Sequence, residues 1–249
     1  VVDTHAHLGI CGPVSGELVA SARLSGVSRI LNVGMDDAGN AEALALAEAY
    51  EEVYAAVGRH PNQAEGFDDE AAAAIERAAA HPRVRAIGET GLDFYRDHAS
   101  PDAQQVAFEA QIEIARRAGL PLIIHMRDAA EETFATLAER AESVSVLLHC
   151  FSAPERVEEA AERGWYCSFA GNVTYPNAGE LRKAAAAVPD ELLLCETDAP
   201  FLAPQPMRGK PNEPANVVET AERLAEVRGI GYRELEALVD ANAARLFGW

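Results

Sequence analysis

The chain is poor in cysteine, in positive charge and in long apolar runs. Its four cysteines, Cys11, Cys150, Cys167 and Cys195, form no C-x-x-C pair. That argues against a disulfide framework and against thiolate metal cages, and for buried, reduced thiols in a cytoplasmic setting. No apolar run reaches the roughly 18 residues of a membrane span, so no membrane partner is expected. The first residues, Val1-Val2-Asp3-Thr4-His5, are broken at once by a charge and a histidine and do not read as a signal peptide. Lys and Arg number 21 against 40 Asp and Glu, a net charge of −19. So acidic a surface repels polyanions and argues against broad nucleic-acid binding. It still permits a local anion site, above all one built around metal cations. The first strand is not followed by a glycine-rich phosphate loop, which argues against a doubly wound dinucleotide fold.

Short apolar, β-branched runs alternate with runs of helical period. Strands are expected at Val1–His7, Arg29–Val33, Val53–Gly58, Val84–Gly88, Pro121–His125, Val144–His149, Trp165–Phe169 and Glu191–Glu196. Helices are expected between them, for example Asp68–Ala80, Pro101–Ala118, Ala129–Ala141 and Pro154–Arg163, and two more near Pro214–Val227 and Tyr232–Leu246. Alternation of this kind makes a parallel sheet with right-handed crossovers. Eight units in 249 residues predict a single-domain α/β fold, a (β/α)8 TIM barrel spanning residues 1–249.

The residues able to do chemistry fall at the C-terminal ends of these strands. They are His5 and His7, Arg59 and His60, Glu89, His125 and Arg127, His149, and Glu196 with Asp198. In a parallel barrel these ends form one rim, where barrel active sites are built. His5 and His7 lie two apart in a strand, so both imidazoles share a face and can chelate one ion. Singly, each such residue is better read as a hydrogen-bonded structural residue. Together, His5, His7, Glu89, His125, His149 and Asp198 would be a costly buried charge cluster without a cation. Nitrogen and oxygen donors suit divalent Zn, Mn, Ni or Fe, with Mg at an oxygen-rich position. His81 and His98 fall outside the group and read as structural or loop residues.

The segments Asp3-Thr4-His5-Ala6-His7-Leu8, Gly58-Arg59-His60-Pro61, Gly88-Glu89-Thr90-Gly91-Leu92-Asp93, His149-Cys150-Phe151-Ser152 and Glu196-Thr197-Asp198-Ala199-Pro200 occur in order along the chain. With these blocks the chain resembles the TatD-type deoxyribonucleases of the amidohydrolase superfamily. The resemblance implies a metal-dependent phosphodiesterase that digests DNA, commonly from the 3′ end. It implies two divalent ions per chain, one held by His5, His7 and Asp198, the other by His125 and His149, with Glu89 bridging them. Ala153, Phe94 and Pro211 depart from the usual pattern, the last by removing a positive charge near the expected substrate.

A metal pair can activate water and neutralise charge on a phosphate. Asp198 is the candidate proton acceptor, with Glu89 as bridge. Arg59, His60, Arg96, Arg127, Arg208 and Lys210 are expected to ring the site as a small cationic funnel for a single-stranded or frayed DNA end. Glu196 either positions substrate or hydrogen-bonds a neighbouring histidine. The alternative is a superfamily hydrolase of a small ester, lactone or amide, and a one-metal deaminase would share much of the ligand set. The oligomeric state is left open, with a monomer as the working expectation.

Overall fold

A computed structural model describes residues 1–12 and 14–249. The eight strands are β1 (Val2–Ala6), β2 (Arg29–Val33), β3 (Val53–Val57), β4 (Val84–Asp93), β5 (Leu122–Arg127), β6 (Val146–Leu148), β7 (Tyr166–Phe169) and β8 (Leu193–Cys195). They pair in sequence order and every pairing is parallel. A parallel bridge between Ala6 and Ala199 brings the end of β1 to the chain leaving β8. The hydrogen bonds from His7 N–H to Ala199 C=O and from Asp198 N–H to His5 C=O, 2.8 and 2.9 Å, tie the same seam. The result is the expected TIM barrel.

Helices α1 (Ser15–Leu24), α2 (Asp37–Ala49), α3 (Asp69–Ala79), α4 (Pro101–Ala118), α5 (Ala130–Arg140), α6 (Val157–Glu162), α7 (Gly179–Ala187), α8 (Val217–Arg228) and α9 (Tyr232–Phe247) cover it. Their starts follow local chemistry. Asp36 accepts from Gly39 N–H at the start of α2, and Asp68 accepts from Glu70 and Ala71 N–H at the start of α3. Ser100 accepts from Ala103 N–H, with Pro101 at the first helical position of α4. With helices outside and side chains filling the inside, the strands are buried on both faces, as β1, β6, β7 and β8 show along their whole lengths.

Several boundaries differ from the sequence expectation. β4 does not stop at Gly88 but continues to Asp93, pairing Gly91 with His125 and Asp93 with Arg127. Gly88 and Gly91 look like strand breakers but serve close approach. A Cβ on Gly88 would stand 2.6 Å from the Ile123 carbonyl oxygen, and one on Gly91 2.1 Å from that of His125. The long strand thereby keeps Glu89 and Asp93 on rigid backbone. β8 is shorter than expected, because Asp190–Leu192 forms a 3-10 turn, and β6 is shorter at both ends. Two helices begin later than expected. Their leading residues, Pro154–Arg156 and Pro214–Asn216, form 3-10 turns ahead of α6 and α8.

Candidate metal centre

The barrel brings His5, His7, Glu89, His125, His149 and Asp198 to one place. Glu89, 2% exposed, lies at the middle. Its Oε1 is 2.6 Å from His125 Nδ1, 2.9 Å from His149 Nε2 and 3.5 Å from His60 Nε2. Its Oε2 is 3.3 Å from His5 Nε2 and 3.5 Å from His7 Nε2. Asp198 Oδ1 stands on the second side, 3.6 Å from His7 Nε2 and 4.0 Å from His5 Nε2. His5 and His7 Nε2 are 3.2 Å apart, and His149 Nε2 is 3.5 Å from His125 Nδ1. The two oxygens of one carboxylate therefore serve two different sets of imidazoles.

These spacings fit cations. A tetrahedral ion with bonds of about 2.1 Å keeps its donor atoms about 3.4 Å apart. His5 Nδ1 is buried without a partner among the described residues, but the second nitrogens of the other rings sharpen the fit. His7 Nδ1 lies 2.8 Å from the Val33 carbonyl oxygen, which can only accept, so in the neutral ring Nδ1 carries the proton and Nε2 presents a lone pair to the cluster. His149 Nδ1 faces Glu196 Oε1 at 3.1 Å, and His125 Nε2 faces Asp93 Oδ2 at 3.2 Å, so in the neutral rings that an ion requires the lone pairs fall on His149 Nε2 and on His125 Nδ1. His60 is the opposite case. Its Nδ1 accepts from Asn62 N–H at 3.0 Å, so its Nε2 is the donor. His60 is built to give a hydrogen bond at the edge of the cluster.

The charges agree. Burial would push the Glu89 and Asp198 carboxyls up, but the surrounding imidazoles hold both below their ordinary range, Glu89 well below it. Burial lowers His5, helped by repulsion from His149. Burial also opposes a proton on His149, yet Glu89 and Glu196 hold that proton well above the usual imidazole range. The cluster thus retains positive charge among buried carboxylates, the demand a divalent ion meets. The neighbouring thiols are poor nucleophiles by comparison: burial pushes Cys11 up to about 12 and Cys150 well above its ordinary value.

The expected substrate contacts divide. Arg59 turns away and pairs with Asp37 at 2.8 Å. Arg96, Arg127, Arg208 and Lys210 are exposed, and among the described residues none has a carboxylate within ion-pair distance. Arg127 stacks on Tyr95 at 3.8 Å and Arg208 on Tyr175 at 4.0 Å. Of the two roles considered for Glu196, the geometry matches the histidine partner: it is fully buried and receives both His149 Nδ1 and Cys150 N–H. His81 pairs with Glu48, and His98 is an exposed loop residue.

Three supporting residues were given no role from sequence. Asp93 holds His125 and accepts Asn62 Nδ2 at 3.0 Å and the Tyr95 and Arg96 N–H groups, each at 3.0 Å. Its even spacing from Glu89 within one strand was the available signal. Asp3 accepts Thr197 N–H and hydroxyl at 2.9 and 2.6 Å, and Asn212 donates to Thr197 C=O at 2.9 Å. Together they fix the segment that carries Asp198. A charge inside an apolar strand was the signal for Asp3.

Comparison with known proteins gives the same reading. The sequence model described as TatD related DNase matches residues 2–248. A Bacillus subtilis (strain 168) protein, named the uncharacterized metal-dependent hydrolase YabD, is 40% identical over 98% of each chain. A Citrobacter rodentium protein, named 3′-5′ ssDNA/RNA exonuclease TatD, is 38% identical over 93% of this chain and 91% of its own. The crystal structure of YjjV, a TatD homolog from Escherichia coli K12, superposes with a TM-score of 0.92 at 30% identity, covering 100% of this chain and 98% of that one. With a barrel of this order and a histidine–carboxylate cluster at its C-terminal rim, the chain belongs to the TatD related DNase family and is a metal-dependent hydrolase.

Proposed function

We propose that this protein, acting as one unit over residues 1–249, removes nucleotides from the 3′ end of single-stranded DNA by phosphodiester hydrolysis, using two divalent ions. His5, His7 and Asp198 would hold one ion and His125 and His149 the other, with Glu89 shared between the two sets. The observation that carries this reading is the division of the Glu89 oxygens, with Oε2 toward His5 and His7 and Oε1 toward His125 and His149. The ions supply Lewis acidity toward the phosphate and an activated water; Mg, Mn, Zn, Ni or Fe all match the donor set.

The chain's own residues do the rest. Asp198, largely buried beside His7, accepts the proton of the attacking water through a carboxylate oxygen. His60 Nε2–H donates to a phosphate oxygen beside Glu89. Glu196 and Asp93 keep His149 and His125 oriented. Arg96, Arg127, Arg208 and Lys210 attract the strand locally, within a chain whose net charge is −19. Exposed Tyr95 and Phe94 give bases a face to stack on. The name of the Citrobacter rodentium relative supports the nucleic-acid substrate and its polarity. The free cysteines suit a reducing, cytoplasmic setting.

The test is digestion of oligonucleotides blocked at either end, with chelator and then with each metal restored, beside a panel of simple esters and lactones. Metal-dependent release of mononucleotides only from a free 3′ end is expected, with two ions bound per chain. Turnover of the lactones or esters alone would overturn the nuclease reading.

A further inference from the structure

Beside the metal cluster lies a second cavity, of about 260 Å3, between the turn after β1 and the start of α2. His7 belongs to both: it lines the cavity, and its Nε2 points into the cluster. The other walls are of mixed character. Ile10, Met35 and Ala38 are apolar, while Asp36 and Glu42 bring carboxylates. Glu42 leans on the backbone of the turn, so closely that a Cβ on Gly9 would stand 2.1 Å from its carboxylate. Among the described residues that carboxylate has no hydrogen-bond or ion-pair partner. Asn32 is 2% exposed and gives its side-chain oxygen to Leu8 N–H at 2.9 Å. Its NH2 group has no partner among the described residues, and Asn32 lines the same cavity. Next to His7 itself, Phe201, 50% exposed, stands edge-on with ring centroids 6.2 Å apart.

We infer that this cavity receives the terminal nucleoside of the strand whose scissile phosphate lies on the metal cluster, and that it selects a free 3′-hydroxyl over a 3′-phosphate. The inference rests on the exonuclease reading and deepens it. The volume falls just below the roughly 300–1,000 Å3 of pockets for larger ligands, a size for one nucleoside rather than a length of chain. An apolar wall and an exposed aromatic suit a base, and the Asn32 NH2 suits a base or sugar acceptor. Carboxylates at Asp36 and Glu42 accept from hydroxyl or amino groups and repel a second phosphate. Arg96, Arg127, Arg208 and Lys210 lie elsewhere, after β4, at the end of β5 and after β8, where the remainder of the strand would run. One rim is therefore divided between an acidic, neutral-ligand end and a cationic, phosphate-binding end.

The experiment compares four single-stranded oligonucleotides, ending in 3′-hydroxyl or 3′-phosphate and 5′-hydroxyl or 5′-phosphate, with the metal-loaded enzyme. A 3′-phosphate should lower kcat/KM by about tenfold, mainly through KM, and a 5′-phosphate should not. Glu42→Lys should erase or invert that ratio. Ala38→Trp, on the exposed first turn of α2, should fill the cavity and raise KM for the 3′-hydroxyl substrate by about tenfold. Titration of thymidine into the same proteins gives a readout free of turnover: the wild type should bind it and Ala38→Trp should not. Equal rates on both 3′ ends, or a ratio unmoved in Glu42→Lys, would overturn the inference. If the wild type cleaves no oligonucleotide, the exonuclease reading fails, and thymidine binding lost in Ala38→Trp still decides whether the cavity is a nucleoside site.

Discussion

The two ends of the barrel solve opposite problems with the same kinds of residue. At the N-terminal end arginines are spent on structure. Arg83 donates to the carbonyls of Ala47 and Glu51, each at 2.8 Å, and stacks on Tyr54, while Arg228 donates to the carbonyls of Ala185 and Val188 at 2.7 and 2.9 Å. At the C-terminal end the side chains of Arg96, Arg127, Arg208 and Lys210 have neither carbonyl nor carboxylate partners among the described residues. The backbone follows the same division. On the N-terminal side the left-handed positions after α4 and α6 are Gly119 and Gly164, which cost no Cβ strain. On the C-terminal side Asp128, Cys150, Asp198 and Leu202 take positive φ with full side chains. Each costs of order 1–3 kcal/mol and persists because the surrounding structure holds it. The lesson is one of placement: unpaired charge, buried carboxylate and backbone strain are concentrated around the histidine–carboxylate cluster and kept out of the end that only has to be stable.

The largest break in that division is Glu89→Ala. Among the described residues it removes the carboxylate shared by the two sets of imidazoles. Cleavage should fall by well over the roughly 100-fold that marks the loss of a supporting residue. Bound metal, measured by elemental analysis, should fall below two ions per chain, and the thermal midpoint without metal should fall, because the imidazoles paired with Glu89 lose their buried partner. Full activity in this variant would end the bridging proposal. Glu196→Gln is next. It keeps shape but weakens the acceptor for His149 Nδ1, and metal affinity should drop about 10–100-fold. Unchanged affinity would make Glu196 a packing residue only.

The sequence carried the barrel because eight strand-like runs alternated with helical ones, and parallel strands leave few other ways to close. It carried the metal cluster because His5, Glu89, His125, His149 and Asp198 each follow or end a strand, and strand ends share a rim. What stayed hidden needed three dimensions. Which nitrogen of each imidazole faces the cluster depends on Val33, Asn62, Asp93 and Glu196, which lie in other elements. The true length of β4 was masked by Gly88 and Gly91, whose missing side chains read as breaks but serve contact with β5. Arg59 fell in the expected funnel by position, yet Asp37, at the start of α2, is near enough to take it. Only a fold brings that carboxylate close.

Smaller effects separate the two ends most cleanly. Arg127→Ala should raise KM for an oligonucleotide a few-fold and reduce by about 1 the slope of log binding against log salt. It should leave the thermal midpoint alone, because an exposed cation stacked on Tyr95 contributes little to folding. An unchanged salt slope would remove Arg127 from the funnel. At the opposite end, Gly119→Ala puts a Cβ on a left-handed residue, with φ at 66°. The cost is about 1–2 kcal/mol of stability, read from denaturant unfolding. Because Gly119 joins α4 to β5 at the end away from the metals, kcat and the salt slope should stay at wild-type values. A change in kcat there would mean that strain at the stable end reaches His125 along β5, and the separation of the two ends would fail.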